Sequence, residues 1–429
     1  METTKQKARW YGPKQIGMIV FTGILMLIDA CIVGGSSNTV LPAIAEARGW
    51  DANYLIVWAG IACILDGVGV LIWARLSRKN AKLLAAIALF AQAICLVIFG
   101  FTTNLAILII MIILMGISGS AFCSTCVNTL TANWWPTKKG VVLGWSTMGI
   151  ILMSVVYVPY IPSAYAAWGI GMTSVYLAIF IAIMGAISLL FVKDTPEAAG
   201  TTPDGLTGMD LAQVKDITRQ LQEYKSPFTF KKMISSGNNW LVALSMGLGM
   251  TVAMSFIGSA IPAFLSFGYD YGTAASVFAV GTFPALVGSW AMGMIDQKFG
   301  TKKATIMWLI LEAIGVFFMF FMAKSLAAVW IATCVFMFAN GAAKNLTASY
   351  VATLYGRWDY PAAFQMIGTI AYIFCGAGVM IIGLFPSYTS LYIFDAVVIV
   401  ICIIMAALVK PHFIGKPDTE EIAAATVAE

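Results

Sequence analysis

The sequence predicts an all-α membrane protein with twelve transmembrane helices arranged as two six-helix pseudo-repeats. Three observations support this fold class: an apolar composition, twelve long apolar stretches, and one long polar segment near the middle of the chain. Of 429 residues, 60% are hydrophobic and only 10% are charged, whereas a soluble domain carries about 25% charged residues. The mean hydropathy is +0.88. Such a chain is expected to lie in a lipid bilayer.

The twelve spans follow from length and hydrophobicity. A helix that crosses a hydrocarbon core of ~30 Å needs about 20 mostly apolar residues. The stretches that meet this requirement are residues 16–42, 53–74, 82–101, 105–132, 141–164, 168–192, 239–267, 272–294, 303–323, 327–351, 362–385 and 389–409.

Lysine and arginine residues set the predicted orientation. They precede the first span and follow every even-numbered span, while the alternate loops hold only Arg48 and Lys324. Because basic loops stay on the cytoplasmic side, both termini are predicted to be cytoplasmic, in a multi-pass protein of the cell (inner or plasma) membrane. The net charge of +5 therefore reflects topology, and no nucleic-acid partner is expected.

A long polar connection divides the chain. The predicted units are an N-terminal bundle (1–192), a cytoplasmic linker (193–238) with a short amphipathic helix near Leu211–Tyr224, a C-terminal bundle (239–410) and a cytoplasmic tail (411–429). The bundles show weak self-similarity, since the sequence from Leu41 to Ile44 ends the first span as the sequence from Ile261 to Phe264 ends the seventh. Parallel repeats of this kind are typical of transporters.

The loop after the eighth span carries a recognisable motif. The run from Asp296 to Lys303 resembles the loop signature of the major facilitator superfamily, which implies that superfamily's fold. The resemblance also implies a conformational latch, in which an aspartate and basic residues at neighbouring helix ends hold the helices together. The first-half copy departs from the pattern, with Ala74 and Ser77 in place of the aspartate and glycine. The implied latch residues are Asp296, Lys298, Gly300, Lys302, Lys303, Arg75 and Arg78.

Within that superfamily the chain resembles the oxalate:formate antiporter family and the related monocarboxylate transporters. The resemblance rests on residues 133–140, on residues 355–360, and on the linker residues 194–197 and 203–205. Oxalate exchangers of this family place an arginine in the eighth span and a lysine in the eleventh to hold a dicarboxylate. Gly288 and Gly368 stand at the matching positions, which argues against oxalate itself.

Lys344 is the leading candidate for a substrate-binding residue. A charge at mid-membrane depth costs about 2.5–3.5 kcal/mol on insertion scales and needs a partner, a cavity or a function. The superfamily resemblance implies that the first, fourth, seventh and tenth spans line a central cavity, and Lys344 lies in the tenth. Its ammonium group is predicted to bind a carboxylate. The alternative is a fixed ion pair with Asp29 or Asp66 that only holds the halves together. The other predicted pocket residues are Asn340, Thr347, Phe122 and Tyr372.

Four acidic residues complete the intramembrane charges. Asp29, in a cavity-lining span, is predicted to carry a proton, to bind a substrate ammonium group or to neutralise Lys344. Asp66 is a second candidate for proton coupling or a structural partner. Glu312, in a peripheral span, is expected to form a hydrogen bond to a neighbouring backbone group or hydroxyl. Asp395 is expected to be wetted, because it lies within two turns of the outer end of the twelfth span.

The predicted function is secondary active transport of a small organic anion, a monocarboxylate or another carboxylate-bearing metabolite, by alternating access, as an antiporter or a proton symporter. A transporter of zwitterions or organic cations that uses Asp29 and Asp66 stays open. An enzyme is not expected, since the sole histidine is His412 and no phosphate-binding loop or Ser/His/Asp set occurs. Neither a cofactor nor a metal is expected. The expected partners are the substrate, protons or a counter-substrate, and lipid, with a monomer as the predicted state.

Overall fold

The computed structural model describes residues 11–32, 37–205, 216, 219–221 and 223–417. Helices account for nearly all of the regular structure in these ranges, and no β-strand occurs there. The N-terminal half contains α-helices Pro13–Ile32, Ser37–Arg48, Ala52–Phe101, Leu105–Gly119, Asn128–Trp134, Lys139–Leu152 and Val158–Leu190, with π-helical segments Ser120–Val127 and Met153–Tyr157.

The C-terminal half begins after two 3₁₀ turns in the connecting segment, Glu197–Ala199 and Pro203–Gly205. Its α-helices are Phe230–Ile234, Gly237–Ser266, Tyr271–Gly281, Pro284–Phe299, Thr301–Met319, Leu326–Asn340, Ala343–Met380 and Tyr388–Leu408, with a 3₁₀ turn at Ile381–Leu384.

The helices are consistent with the twelve predicted spans. Eight helical runs of the described chain are long and apolar enough to cross a membrane. Three of these runs contain a residue with non-helical backbone angles, at Asn80, Gly169 and Gly356, and each of these residues separates two consecutive spans. The helix Thr301–Met319 lies outside the eight runs and supplies the ninth span.

Buried apolar side chains form two large clusters that follow the chain. One cluster runs from Met18 to Val192. The other takes most of its residues from Met233 to Val409 and is joined by Val70, Ala132 and Ile151 of the first half. The predicted unit boundaries at 192, 238 and 410 stay a prediction. Most of the predicted helix Leu211–Tyr224 and the tail from residue 418 lie outside the described residues.

Glycines allow the two halves to approach closely along two pairs of spans. A Cβ atom on Gly67 would lie 2.5 Å from the backbone nitrogen of Ile373, and one on Gly376 would lie 2.6 Å from the carbonyl carbon of Cys63. The second and eleventh spans therefore pack backbone to backbone. In the fifth and eighth spans, the hydroxyl oxygens of Thr147 and Ser289 lie 2.5 Å apart.

The end of the bundle that carries the connecting segment 193–205 is called the linker end here. A buried ion pair closes it, with Arg357 Nη1 2.8 Å from Glu197 Oε1 and side-chain exposures of 1% and 0%. Between the second and eleventh spans, Gln365 donates a 2.6 Å hydrogen bond to the carbonyl of Leu71 and accepts one from Arg75 Nε. The two halves are thus joined by polar contacts at this end.

Candidate functional site

The tenth span is interrupted immediately before Lys344. Its first helix ends at Asn340 and the next begins at Ala343. Gly341 lies in this interruption, where a Cβ atom would collide with the backbone of the eighth span at Ala285 and Ser289. The close approach leaves no room for a side chain there. The two residues between these helices keep right-handed helical backbone angles, so the irregularity is local.

Lys344 and Asp29 form an ion pair across the two halves. Lys344 Nζ lies 3.6 Å from Asp29 Oδ2, and the two side chains are 27% and 13% exposed. Solvent-sized space therefore reaches part of both side chains, so the pair is not completely sealed. Tyr372 of the eleventh span lies beside them, with its ring centroid 5.9 Å from the ammonium nitrogen. The structure thus brings three of the predicted site residues together.

Asp66 belongs to the same electrostatic cluster. Its carboxylate oxygens lie 3.2 and 3.3 Å from Ser124 Oγ, which donates to them, and it is close enough to Asp29 and Lys344 to interact with both charges. Ser124 lies in the π-helical segment Ser120–Val127. Such segments are mostly single-turn bulges within α-helices, and they are frequent at functional sites. Two acids and one base therefore meet where both the fourth and the tenth spans are irregular.

Sequence reasoning missed Ser124 and Asn128 of the fourth span. The Asn128 side chain lies beside the hydroxyl of Tyr372 and donates a 2.8 Å hydrogen bond to the carbonyl of Ser124. The sequence does contain a signal for these two residues. Ser120, Ser124 and Asn128 are spaced four residues apart, so they would share one face of a helix. The second half of this span is polar beyond that face, since it also carries Thr125, Thr129 and Thr131.

The remaining predicted pocket residues make no hydrogen bond to Lys344 or Asp29 within the described chain. Phe122 is fully buried in the N-terminal apolar cluster. Thr347 is buried and donates to the carbonyl of Ala343 in its own helix. Asn340 is half-buried at the end of the first helix of the tenth span. Their roles in substrate binding stay predictions.

Five of the seven predicted latch residues occupy the end of the eighth span and the start of the ninth, and Arg75 and Arg78 lie at the end of the second span. Asp296 is buried and accepts a 2.5 Å hydrogen bond from Ser349 of the tenth span. Lys302 donates to the carbonyls of Ala407 and Val409 at 2.6 and 2.9 Å. Gly300 turns the chain with φ of 84°. Lys298 lies over the ring of Phe299. In the described chain, Asp296 makes no ion pair with Lys298, Lys302 or Lys303. Latch function stays a prediction.

A second set of polar contacts ties the linker to the eleventh span. Asp359 accepts hydrogen bonds from Ser226 at 2.5 Å, Tyr224 at 3.0 Å and the backbone of Lys416 at 2.9 Å. Burial, together with the charge of Asp359, raises the pKa of Tyr224 to about 12. From the sequence, residues 355–360 supported a family resemblance but not these contacts, because the partners are far apart in the chain.

Two peripheral acids differ from expectation. Both oxygens of Glu312 are buried without a hydrogen-bond partner, and Trp308, one turn away, lies beside the carboxyl without meeting hydrogen-bond geometry. The expected hydrogen bond is absent. Asp395 was expected to be wetted, and this expectation is wrong: its side chain is fully buried and accepts a 2.8 Å hydrogen bond from Ser255 of the seventh span. The neighbouring helix covers a position that the sequence places near the membrane surface.

Comparison with known proteins establishes the family. The model of the Major Facilitator Superfamily matches residues 23–284, more than half of the chain. The chain belongs to this superfamily. No curated protein sequence matches it.

Among solved structures, a similar one is the proton:xylose symporter XylE bound to 6-bromo-6-deoxy-D-glucose. The TM-score is 0.70 and the identity 15%, with 95% of this chain and 97% of that chain covered. At this identity the likeness concerns the fold alone, and it confirms the predicted all-helical superfamily fold. The protein is therefore a multi-pass membrane transporter of a small-molecule substrate and not an enzyme.

Proposed function

We propose that this transporter moves a small organic anion, a monocarboxylate or another carboxylate-bearing metabolite, by alternating access of a central site, as an antiporter or a proton symporter. One observation carries the proposal: the partly exposed ammonium group of Lys344 lies at a break in the tenth span, between the two halves. A lysine in this position offers a carboxylate a positive charge between the two halves. The resemblance to oxalate:formate antiporters and monocarboxylate transporters supports the same substrate class.

The ion pair suggests how transport is coupled to protons. Without substrate, Lys344 pairs with Asp29 at 3.6 Å. A substrate carboxylate that binds Lys344 competes with Asp29 for the ammonium group. An unpaired carboxylate at this depth is costly, so Asp29 takes up a proton and the site keeps its charge balance. Asp66, held by Ser124, serves as the neighbouring proton-linked carboxylate.

The transport cycle uses the division of the chain proposed from its sequence. The bundles 1–192 and 239–410 rock against each other around the site, and the linker 193–238 connects them. Asp296, the basic residues around it, Arg75 and Arg78 stabilise the state in which the linker end is closed. In this proposal the linker end faces the cytoplasm of a cell (inner or plasma) membrane, and the protein acts as a monomer.

The experiment is uptake by purified protein in liposomes, with a panel of labelled carboxylates and with or without an imposed proton gradient. Replacing Lys344 with alanine removes one partner of a charge pair, which typically costs about 2–5 kcal/mol of binding energy, or roughly 30-fold or more in uptake. The matched control is Lys231→Ala, which removes an exposed lysine on the short helix Phe230–Ile234. Wild-type uptake by the Lys344→Ala protein, inserted normally, would remove Lys344 from the mechanism.

A transporter of zwitterions or organic cations is the second candidate, because the cluster holds two acids, Asp29 and Asp66, and one base. Competition separates the candidates: inhibition by simple carboxylates supports the first, and inhibition by amines or betaines supports the second. Xylose is included as a neutral solute because it is the substrate named for the similar structure. Uptake of xylose alone would overturn both candidates.

A further inference from the structure

A second cavity lies at the linker end, away from the Lys344 site. Its volume is about 320 Å³, which is room for roughly ten water molecules at ~30 Å³ each. Four parts of the chain line it: the turn between the second and third spans, the end of the fourth span, the start of the linker, and the start of the eleventh span. The charged side chains that line it are Arg78, Lys79, Lys82, Lys193, Asp194 and Arg357.

Positive charge dominates the lining of this linker-end cavity. Five of the lining residues are lysine or arginine, and Asp194 is the one acidic residue among them. Arg357 is already paired with Glu197. Arg78, Lys79, Lys82 and Lys193 make no ion pair within the described part of the chain.

Asp194 offsets only one of these positive charges. Its carboxylate accepts a 2.7 Å hydrogen bond from the backbone nitrogen of Lys82, and burial raises its pKa. Basic residues at this end follow from membrane topology in general, but topology does not require four cations without an ion-pair partner to line one cavity. A cleft lined by one sign of charge concentrates ions of the opposite sign.

The charge and size of the cavity define the class of ligand. A monocarboxylate would neutralise one of the four unpaired cations, whereas a phosphate or diphosphate group carries several negative charges and many acceptor oxygens. Lysine and arginine are the usual partners of phosphate groups. We propose that the linker-end cavity binds a phosphate-bearing anion.

The position of the cavity gives such a ligand a conformational effect. Lys79 and Lys82 belong to the first half of the chain, whereas Arg357, Trp358 and Pro361 begin the eleventh span of the second half. The cavity therefore exists in this form only while the two halves meet at the linker end. A ligand that contacts both sides binds this state in preference to the opened one and shifts the population toward it. A ligand that holds the linker end closed would inhibit transport. This inhibition rests on the alternating-access proposal, whereas binding of the ligand to the cavity does not.

The test measures binding of inorganic pyrophosphate to the full-length protein in nanodiscs of phosphatidylcholine, by calorimetry and by the shift in thermal unfolding temperature. The test variant is the double substitution Lys79→Ala and Lys82→Ala. Its control is the double substitution Lys231→Ala and Lys232→Ala, which removes the same charge from an exposed helix outside the cavity. A parallel arm replaces pyrophosphate with nanodiscs that contain phosphatidic acid.

We expect the wild type and the control to bind pyrophosphate and the Lys79/Lys82 variant to bind it at least about tenfold more weakly. The same difference seen only with phosphatidic acid would assign the phosphate group to a lipid headgroup and would also support the proposal. The proposal would be overturned by equal affinity of the two double variants in both arms. It would also be overturned if potassium chloride of matched ionic strength gave the same shift in unfolding temperature. Because binding is measured without any transported substrate, the result is independent of the proposed anion transport.

Discussion

At the scale of single residues, the pairing of Lys344 with Asp29 defines the central site. The lysine satisfies its charge by a contact of 3.6 Å across the two halves while 27% of its side chain stays exposed. A permanently sealed pair would be inaccessible to a substrate, and an unpaired lysine would be too costly at this depth. Partial exposure is what allows a substrate carboxylate to compete with Asp29.

Substitution of Asp29 by asparagine tests the coupling role. The amide keeps the size of the side chain but carries neither a charge nor a transferable proton. We expect exchange of labelled for unlabelled substrate to continue, while accumulation driven by a proton gradient falls to the level without a gradient. Both are measured in the same liposomes. Full gradient-driven accumulation by Asp29→Asn would contradict the coupling role.

Glu312 offers a test of a buried group without a partner. Leaving a buried polar group unsatisfied costs about 1–3 kcal/mol, and both of its oxygens are in that situation. We expect Glu312→Met, which keeps a similar length, to raise the thermal unfolding temperature of the purified protein. Glu223→Met, at an exposed linker position, is the control and should leave it unchanged. A clear drop for Glu312→Met would show that the carboxyl has a stabilising partner.

At the scale of helices, contacts between backbones determine how the halves meet. Gly67 and Gly376 let the second and eleventh spans pack without intervening side chains. Small residues at helix interfaces are typical of membrane proteins, since association there depends on close van der Waals packing. The interrupted tenth span and the π-helical fourth span differ from these regular helices, and both border the charged cluster.

Two glycine substitutions separate packing from backbone propensity. In Gly67→Ala the new methyl group would lie 2.5 Å from the backbone nitrogen of Ile373, whereas in Gly17→Ala it would meet nothing within 4 Å. Overpacking typically costs about 1–3 kcal/mol, while glycine to alanine in a free helix position gains about 0.5–1 kcal/mol. We expect the unfolding temperature to fall for Gly67→Ala and to stay level or rise for Gly17→Ala. Equal behaviour of the two variants would contradict the close approach of these spans.

The sequence predicted helices better than it predicted their partners. The positions of the spans follow from runs of about 20 apolar residues, and such runs can be read directly from the sequence. The break at Gly341 could not be predicted in this way, because it depends on the backbone of the eighth span at Ala285. The Arg357–Glu197 pair joins residues 160 positions apart, and Asp395 is covered by a helix far away in sequence. Each of these features depends on tertiary packing, which no local pattern encodes.

At the scale of the whole molecule, the linker end is closed and the central charges remain partly accessible. The contacts of Gln365 with Leu71 and of Arg357 with Asn133 join the halves at the linker end, and the buried Arg357–Glu197 pair ties the linker to the second half. The exposure of Lys344 and Asp29 shows that space persists around the central site. This combination fits a transporter in which access alternates between the two ends of the bundle.

The central claim is that transport needs a positive charge at position 344, and chemical rescue tests it directly. Lys344→Cys is placed in a background with the eight native cysteines replaced, after uptake by that background has been verified. It is then treated with thiol reagents of similar size that add either an aminoethyl or a neutral ethyl group. The account predicts that uptake of the carboxylate substrate is lost in Lys344→Cys, recovers with the aminoethyl group and stays low with the ethyl group. Equal recovery with both groups, or no recovery despite complete labelling by mass spectrometry, would contradict it.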